Sequence, residues 1–452
     1  MHANLRRITT LLTVTTGLTL PGLALAQQNV SGFPGYSGAN PFNPTPQPNV
    51  TVQDRPRPDY DPIGLRAGSF FLYPTLDLGG LYDDNVYATR RGTESELAAT
   101  VTPNVRVLTN WNRHQLSFDL GADMAFYPGN SSLDYQDVHL DNTGRLDITQ
   151  NNTLLEGFSV RHLHEDPSSA DFQETTGVNT GVNTGGNVSS NNPDLTTYWS
   201  YDANLAYRHD FSRFYTLVGG EFQRLDFDKN NSLGASSNTN VRDRNQYLGR
   251  ARVGYQLSPR IDTFVQGSYD VRRYDTSVNG FNRNSEGYSL RGGVGLDITS
   301  ILFGEISAGF THRDYEFSGL KPFSGFGYAG KVTWNVTTLD SLIFSGAADA
   351  YETTVIYNGK TASSDYQYTI NVDWTHELLR NLLLNANVGY VHDVYQGTNR
   401  TDNTFLAGGG VTYLINRHLS LEATYDYNNR DSQAENAIYS RNLFRIGVTA
   451  KL

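Results

Sequence analysis

The chain has 452 residues, no cysteine, 35 Lys+Arg against 46 Asp+Glu, and a formal net charge of −11. The missing cysteine excludes a disulfide scaffold and thiolate metal sites, and the acidic balance argues against a nucleic-acid partner. Tyr (28), Gly (43) and Phe (22) are abundant while Met numbers two, a composition of strands, turns and interfacial rings.

Arg6 and Arg7 precede an apolar run from Ile8 to Leu23 that ends in Ala24-Leu25-Ala26. The run is shorter than the ~20 residues of a spanning helix, so it predicts a secretory signal cut after Ala26. Residues 27–66 hold eight of the sixteen prolines, in "NPFNPTPQPN" and "DRPRPDYDP". Such a stretch forms neither ladder nor helix and predicts an extended periplasmic leader. A spacer is the simplest reading of it; a dock for a periplasmic partner and a plug tucked into the barrel are the alternatives.

From residue 67 to 452 the pattern changes to strict alternation. In "DYQYTINVDWTH", Tyr366, Tyr368, Ile370, Val372, Trp374 and His376 point one way, and Asp365, Gln367, Thr369, Asn371, Asp373 and Thr375 the other. Repeats of this pattern predict about eighteen strands: 70–83, 97–109, 114–127, 135–149, 153–165, 196–210, 214–228, 242–257, 261–275, 285–299, 303–317, 324–338, 341–357, 365–377, 381–395, 402–415, 418–430 and 439–452. Sixteen is the alternative count. Tight turns such as "DFSR" and "LSPR" interleave with mostly longer connections such as 166–195 and 229–241. Short turns on one rim and long loops on the other predict an all-β, transmembrane, up-and-down antiparallel β-barrel rather than a Greek-key sandwich. Its apolar face meets outer-membrane lipid, its polar face lines a lumen, and its long loops lie outside the cell. Eighteen strands tilted by ~40° close to a diameter of roughly 35 Å.

The segment "RPRPDYDPIGLRAGSFFLYPTLDLGGLYDDNVYATR" followed by "VTPNVRVLTNWNRHQLSFDLGADMAFY" resembles the second-type β-barrel porin family of bacterial outer membranes. The resemblance covers most of the mature chain. It implies a barrel in a Gram-negative outer membrane, of a kind associated with exopolysaccharide export. One departure is the last residue, Leu452, where such barrels commonly end in Phe or Trp.

Reactive motifs are sparse. There is no Gly-x-Ser-x-Gly, Ser159 falls in an ordinary strand, and no Lys-Ser/Thr follows "GVNTGVNTGG", so neither a hydrolase nor a phosphate loop is expected, and nothing calls for a cofactor. His162 and His164 share one strand face at a spacing a metal could use, but that face is the outward one, and interfacial histidines are the simpler reading.

The lumen face is where a constellation builds up. Alternation sends Arg250 and Arg252 inward from one strand and Asp262, Gln266, Asp270 and Arg272 inward from the next. Either hairpin register sets Arg250 beside Asp270, directly or diagonally. Arg145, Arg208 and Arg291, with Asp119, Asp123, Asp349, Asp365 and Asp373, complete a mixed wall with no strong single sign. Tyr73, Phe264 and Tyr351 also face inward, where they could stack on sugars. The expected function is a conduit for surface polysaccharide whose leader contacts periplasmic export components. A passive porin for small hydrophilic solutes is the alternative, and a structural envelope protein a third.

Overall fold

The computed structural model describes residues 50–176, 194–229, 239–277, 281–298 and 301–452; the expected signal and residues 27–49 of the leader lie outside it. Eighteen long strands form the wall: β1 (Phe70–Asp83), β2 (Glu96–Thr109), β3 (Gln115–Phe126), β4 (Tyr135–Asp147), β5 (Asn152–His164), β6 (Thr197–Phe211), β7 (Phe214–Phe227), β8 (Arg244–Ser258) and β9 (Ile261–Tyr274), then β10 (Ser285–Ile298), β11 (Leu302–Tyr315), β12 (Phe323–Trp334), β13 (Asp340–Tyr351), β14 (Asp365–Leu379), β15 (Leu382–Tyr395), β16 (Thr401–Leu414), β17 (Leu419–Ser432) and β18 (Tyr439–Lys451). Each pairs antiparallel with its chain neighbours, and β1 pairs with β18 through Tyr82↔Phe444 and Gly79↔Gly447, so the sheet closes without an edge.

Turns are short on the rim where β1 begins and β18 ends. Phe211 pairs with Phe214 across only Ser212 and Arg213, with Ser212 at φ 62°. The opposite rim carries the longer loops. One face of the wall is largely apolar and exposed, with Leu97 (64%), Val218 (57%), Leu290 (59%), Ile370 (57%) and Ile446 (67%) among its residues. Exposed side chains of this kind, in strand after strand, are the signature of a surface facing lipid.

The predicted strands recur with small shifts at their ends, with two larger exceptions. β12 stops at Trp334 rather than 338, and β13 stops at Tyr351 rather than 357. Beyond Tyr351 the chain leaves the wall and makes a small hairpin of its own, Ile356–Tyr357 with Lys360–Thr361. The β-branched residues after Thr353 favour extended backbone, which is why they read as a continuation of the strand.

Residues 50–64, the end of the predicted leader, pack against the short-turn rim instead of trailing away from it. Val52 is fully buried; its N–H donates to Ser341 Oγ (2.8 Å), and Asn335 Nδ2 donates to the Val50 carbonyl (3.2 Å). Buried Arg57 reaches Glu377 (2.9 Å) and the Val52 carbonyl (2.7 Å), while Arg380 and Arg417 donate to the carbonyls of Pro56 and Pro58. This strap therefore runs from the start of β1 past the turns after β16, β14 and β12. Gly64 (φ 75°) and Gly68 (φ 63°) then fold Leu65–Ala67 back onto β1. A side chain at Gly64 would meet the ring of Tyr73, so this turn needs glycine both for its φ and for its close approach.

Candidate functional site: a charged lumen crossed at its long-loop mouth

Several side chains of inward parity form ion pairs with strands that are not their neighbours, across the barrel interior. Arg313 on β11 holds Asp270 on β9 (2.6 Å) across β10, Arg252 on β8 holds Glu305 on β11 (2.9 Å), and Arg291 on β10 holds Asp349 on β13 (2.9 Å). These contacts place Arg252, Asp270, Arg291 and Asp349 in the lumen. Arg252 also donates to Gln266 (2.9 Å), Asp262 accepts from the Tyr215 hydroxyl (2.9 Å), and Arg208 pairs with Asp210 (2.8 Å) while covering the Tyr215 ring. Arg145 pairs with Asp147 (3.0 Å), and Asp119 is shared by Arg106 (3.2 Å) and His139 (3.2 Å). Asp365 lies half-buried at the long-loop end of β14, whereas Asp123 and Asp373, on the same face as these residues, are exposed.

Arg250 stands directly opposite Ser268 and so diagonal to Asp270, one of the two arrangements expected; Glu221 lies 3.6 Å from Arg250, and Arg313 and Arg272 hold Asp270. The wall is mixed in sign: Arg244, Arg250, Arg252, Arg272, Arg291 and Arg313 gather on β8–β11, and Glu221, Glu305, Asp270 and Asp349 pair with four of them. Phe264 corrects an expectation: it is buried beneath the Arg252 guanidinium (3.8 Å), so its ring offers no free face for a sugar, whereas Tyr73 is half-buried beside Gly64. His164 leaves the outward face at the end of β5 to stack on Tyr135 (4.0 Å) and pair with Asp137 (3.0 Å), whereas His162 stays beside Trp199 with Asp228.

The feature that single-strand alternation could not reveal is the pair of inserts that meet over the long-loop mouth. After β5 the chain turns inward through buried Glu165, Asp166 and Ser168 into a short helix, α1 (Ala170–Thr176), with Phe172 fully buried. Its anchors are spread around the ring. Arg441 of β18 grips Asp166 (3.0 Å) together with Asp83 of β1, Arg242 grips Glu165 (2.9 Å), and Arg430 of β17 donates to the Ser168 carbonyl (2.7 Å).

From the other side comes the segment after β13. Buried Glu352 is held by Arg272 and by the Tyr274 hydroxyl (2.8 Å), and Arg283 donates to the Ala362 carbonyl (3.0 Å). The two inserts meet where Asp171 Oδ1 accepts from Thr353 Oγ1 (3.0 Å) and the Thr354 N–H (2.6 Å). Val355, Ala362 and Tyr395 pack beside Ala170 there. One insert follows β5 and the other β13, eight places apart on a ring of eighteen strands. Chains that start almost diametrically apart and touch must cross the opening between them.

The anchoring carboxylates are tuned for this. Burial alone would raise the Asp166 carboxyl, but Arg441 and the hydrogen bonds from Ser168 outweigh it and hold the group below its ordinary value. Glu352 is likewise held down by Arg272 and Arg313 against its burial. The partners Glu221, Glu305 and Arg313 carry the inward parity of their strands, the one signal by which the sequence could have flagged them.

A closed antiparallel barrel with a lipid-facing belt and a charged interior defines a porin-like channel of the bacterial outer membrane. More particularly, the chain belongs to the family described as "Putative beta-barrel porin 2", whose model matches residues 57–452 and so begins at the buried Arg57 of the strap. No curated protein sequence matches the chain. Among solved structures it is similar to OpdO of Pseudomonas aeruginosa (12% identity over 85% of this chain and 97% of that one, TM-score 0.43) and to OpdL of the same organism (12% identity, 85% and 99%, TM-score 0.41). It is also similar to a "Bacterial polysaccharide outer membrane secretin" (10% identity, 84% and 98%, TM-score 0.35).

Proposed function

We propose that this channel is a gated conduit for export of a surface polysaccharide, with the long-loop rim outside the cell and the strap in the periplasm, and that it carries out no catalytic step. The observation that carries the reading is the meeting of Asp171 with Thr353 and Thr354 across the long-loop mouth. A passive sieve loses flux in proportion to any segment lying across its opening. A conduit that works only when cargo and periplasmic machinery engage it is served by such a closure. The strap fits the same reading, because it sets the leader against the periplasmic mouth, where an export complex would reach it. Exposed Asp123 and Asp373 favour the competing reading, a diffusion porin for small hydrophilic solutes, since they offer a wet path along part of the lumen.

Deleting the gene separates the two. Export predicts loss of surface polysaccharide with small-sugar uptake unchanged; normal polysaccharide with slowed uptake would hand the function to the porin reading.

A further inference from the structure

We propose that the lumen face of β14–β17 is a subsite for a neutral, hydroxyl-rich glycan; this rests on the conduit reading and narrows its cargo to uncharged polymer. Half-way along these strands the register sets Asp373 opposite Asn387, Asn387 opposite Gly408, and Gly408 opposite Asp426, one row across four strands. Gly408 has no side chain, and Asn387 Oδ1 from one side and Asp426 Oδ1 from the other both lean into the space its Cβ would fill. Asn371 does the same over Gly389, one step toward the long-loop rim. Asn387 Oδ1, Asp426 Oδ1 and Asn428 Oδ1 are buried and have no hydrogen-bond partner among the described residues, and Asp426 and Asn428 are each only 3% exposed. The row opens to the lumen at its other end, where Asp373 is exposed.

Unsatisfied buried acceptors call for donors. An ionised carboxylate only accepts, and a carboxamide both accepts and donates, which matches the paired donor and acceptor character of sugar hydroxyls. The contrast with the other side of the lumen gives the specificity. On β8–β11 the arginines are already engaged by Glu221, Glu305, Asp270 and Asp349, so no ready cationic track exists for an acidic polymer. Along the glycine row the carboxylates of Asp373 and Asp426 would repel uronic or phosphorylated units.

The test uses the full chain in detergent and saturation-transfer NMR with maltohexaose, cellohexaose and an oligogalacturonate of equal length. Transfer to a neutral oligomer is expected, with transfer to the acidic one absent. Gly408→Leu should weaken neutral binding by roughly tenfold, and Asn387→Ala should do so without adding bulk. Ser289→Leu, on the arginine side, should leave it unchanged, and a heat-dependent gel shift checks that each variant is folded. The proposal is overturned if the wild-type chain transfers to neither neutral oligomer, if the acidic one binds better, or if calcium abolishes transfer by taking the row as a cation site. Transfer that behaves as expected in a protein whose gene deletion spares surface polysaccharide would keep the subsite and remove the export reading. Loss of polysaccharide on deletion, with no transfer, would remove the subsite alone.

Discussion

Arg441 does two jobs with one guanidinium. It holds Asp83 on β1, across the seam where the barrel closes, and Asp166 in the insert that crosses the mouth, and all three side chains are buried. Arg441→Met leaves two buried carboxylates without their cation, and removing one partner of a buried pair costs about 3–5 kcal/mol. The expected outcome is a lower temperature for loss of the folded gel form together with a higher single-channel conductance in planar bilayers. Arg252→Met breaks a less buried pair, and Arg252 and Glu305 both belong to the wall, so stability should fall, by less, without any gain in conductance. Equal conductance in the two variants would mean that Asp166 does not hold the insert in place. At this scale the sequence is legible in direction but not in partnership. Parity sends Arg250, Arg252, Asp270 and Arg272 inward, yet which carboxylate each one meets depends on curvature. Arg313 reaches Asp270 over an intervening strand because the closed wall is concave, and no single hairpin contains that information.

Among the elements, wall strands and loop inserts differ in how they can be read. A wall strand advertises itself by period-2 alternation, since lipid and water impose opposite demands on successive side chains. The inserts after β5 and β13 bury their anchoring residues without a regular repeat, so no periodicity marks them. Glu352 and Thr353 look like two more strand residues because extended backbone and β-branching are local, whereas the pull of Arg272 that turns the chain inward is not. Both inserts hang on carboxylates held below their ordinary values of 3.8 for Asp166 and 4.5 for Glu352. A carboxyl depressed in the folded state contributes its full stabilisation above its unfolded pKa, and that contribution is lost as pH falls through the depressed value. Conductance of the wild-type channel should therefore stay flat from pH 7 to about pH 5 and rise only below about pH 4. A rise centred near pH 6 would point to another group, such as Asp243, whose carboxyl is pushed up by burial to about 6, and count against these two anchors.

For the whole molecule, the question is whether an eighteen-strand wall, wide enough for an aqueous channel by its strand count, is held shut by its own loops. The wall was legible because its count follows from pattern and turn spacing. Its state was not, because closure depends on contacts between segments almost two hundred residues apart, such as Asp171 with Thr354. The strap at the other rim covers only the sector from β1 back to β12, so the inserts are the main barrier to a large solute. A cell assay reads this directly, because an intact outer membrane excludes glycopeptide antibiotics. Cells making the wild-type chain should stay as resistant as cells without it. Cells making a chain in which residues 167–173 are replaced by a short Gly-Ser link and Glu352 by Ala should become sensitive, since the start of the helix and the Asp171 contact across the mouth are then gone and the second insert loses its Glu352 anchor, while all eighteen strands remain. Sensitivity already present with the wild-type chain would show that the mouth stands open in the membrane, and the gating half of the proposed function would fall with it.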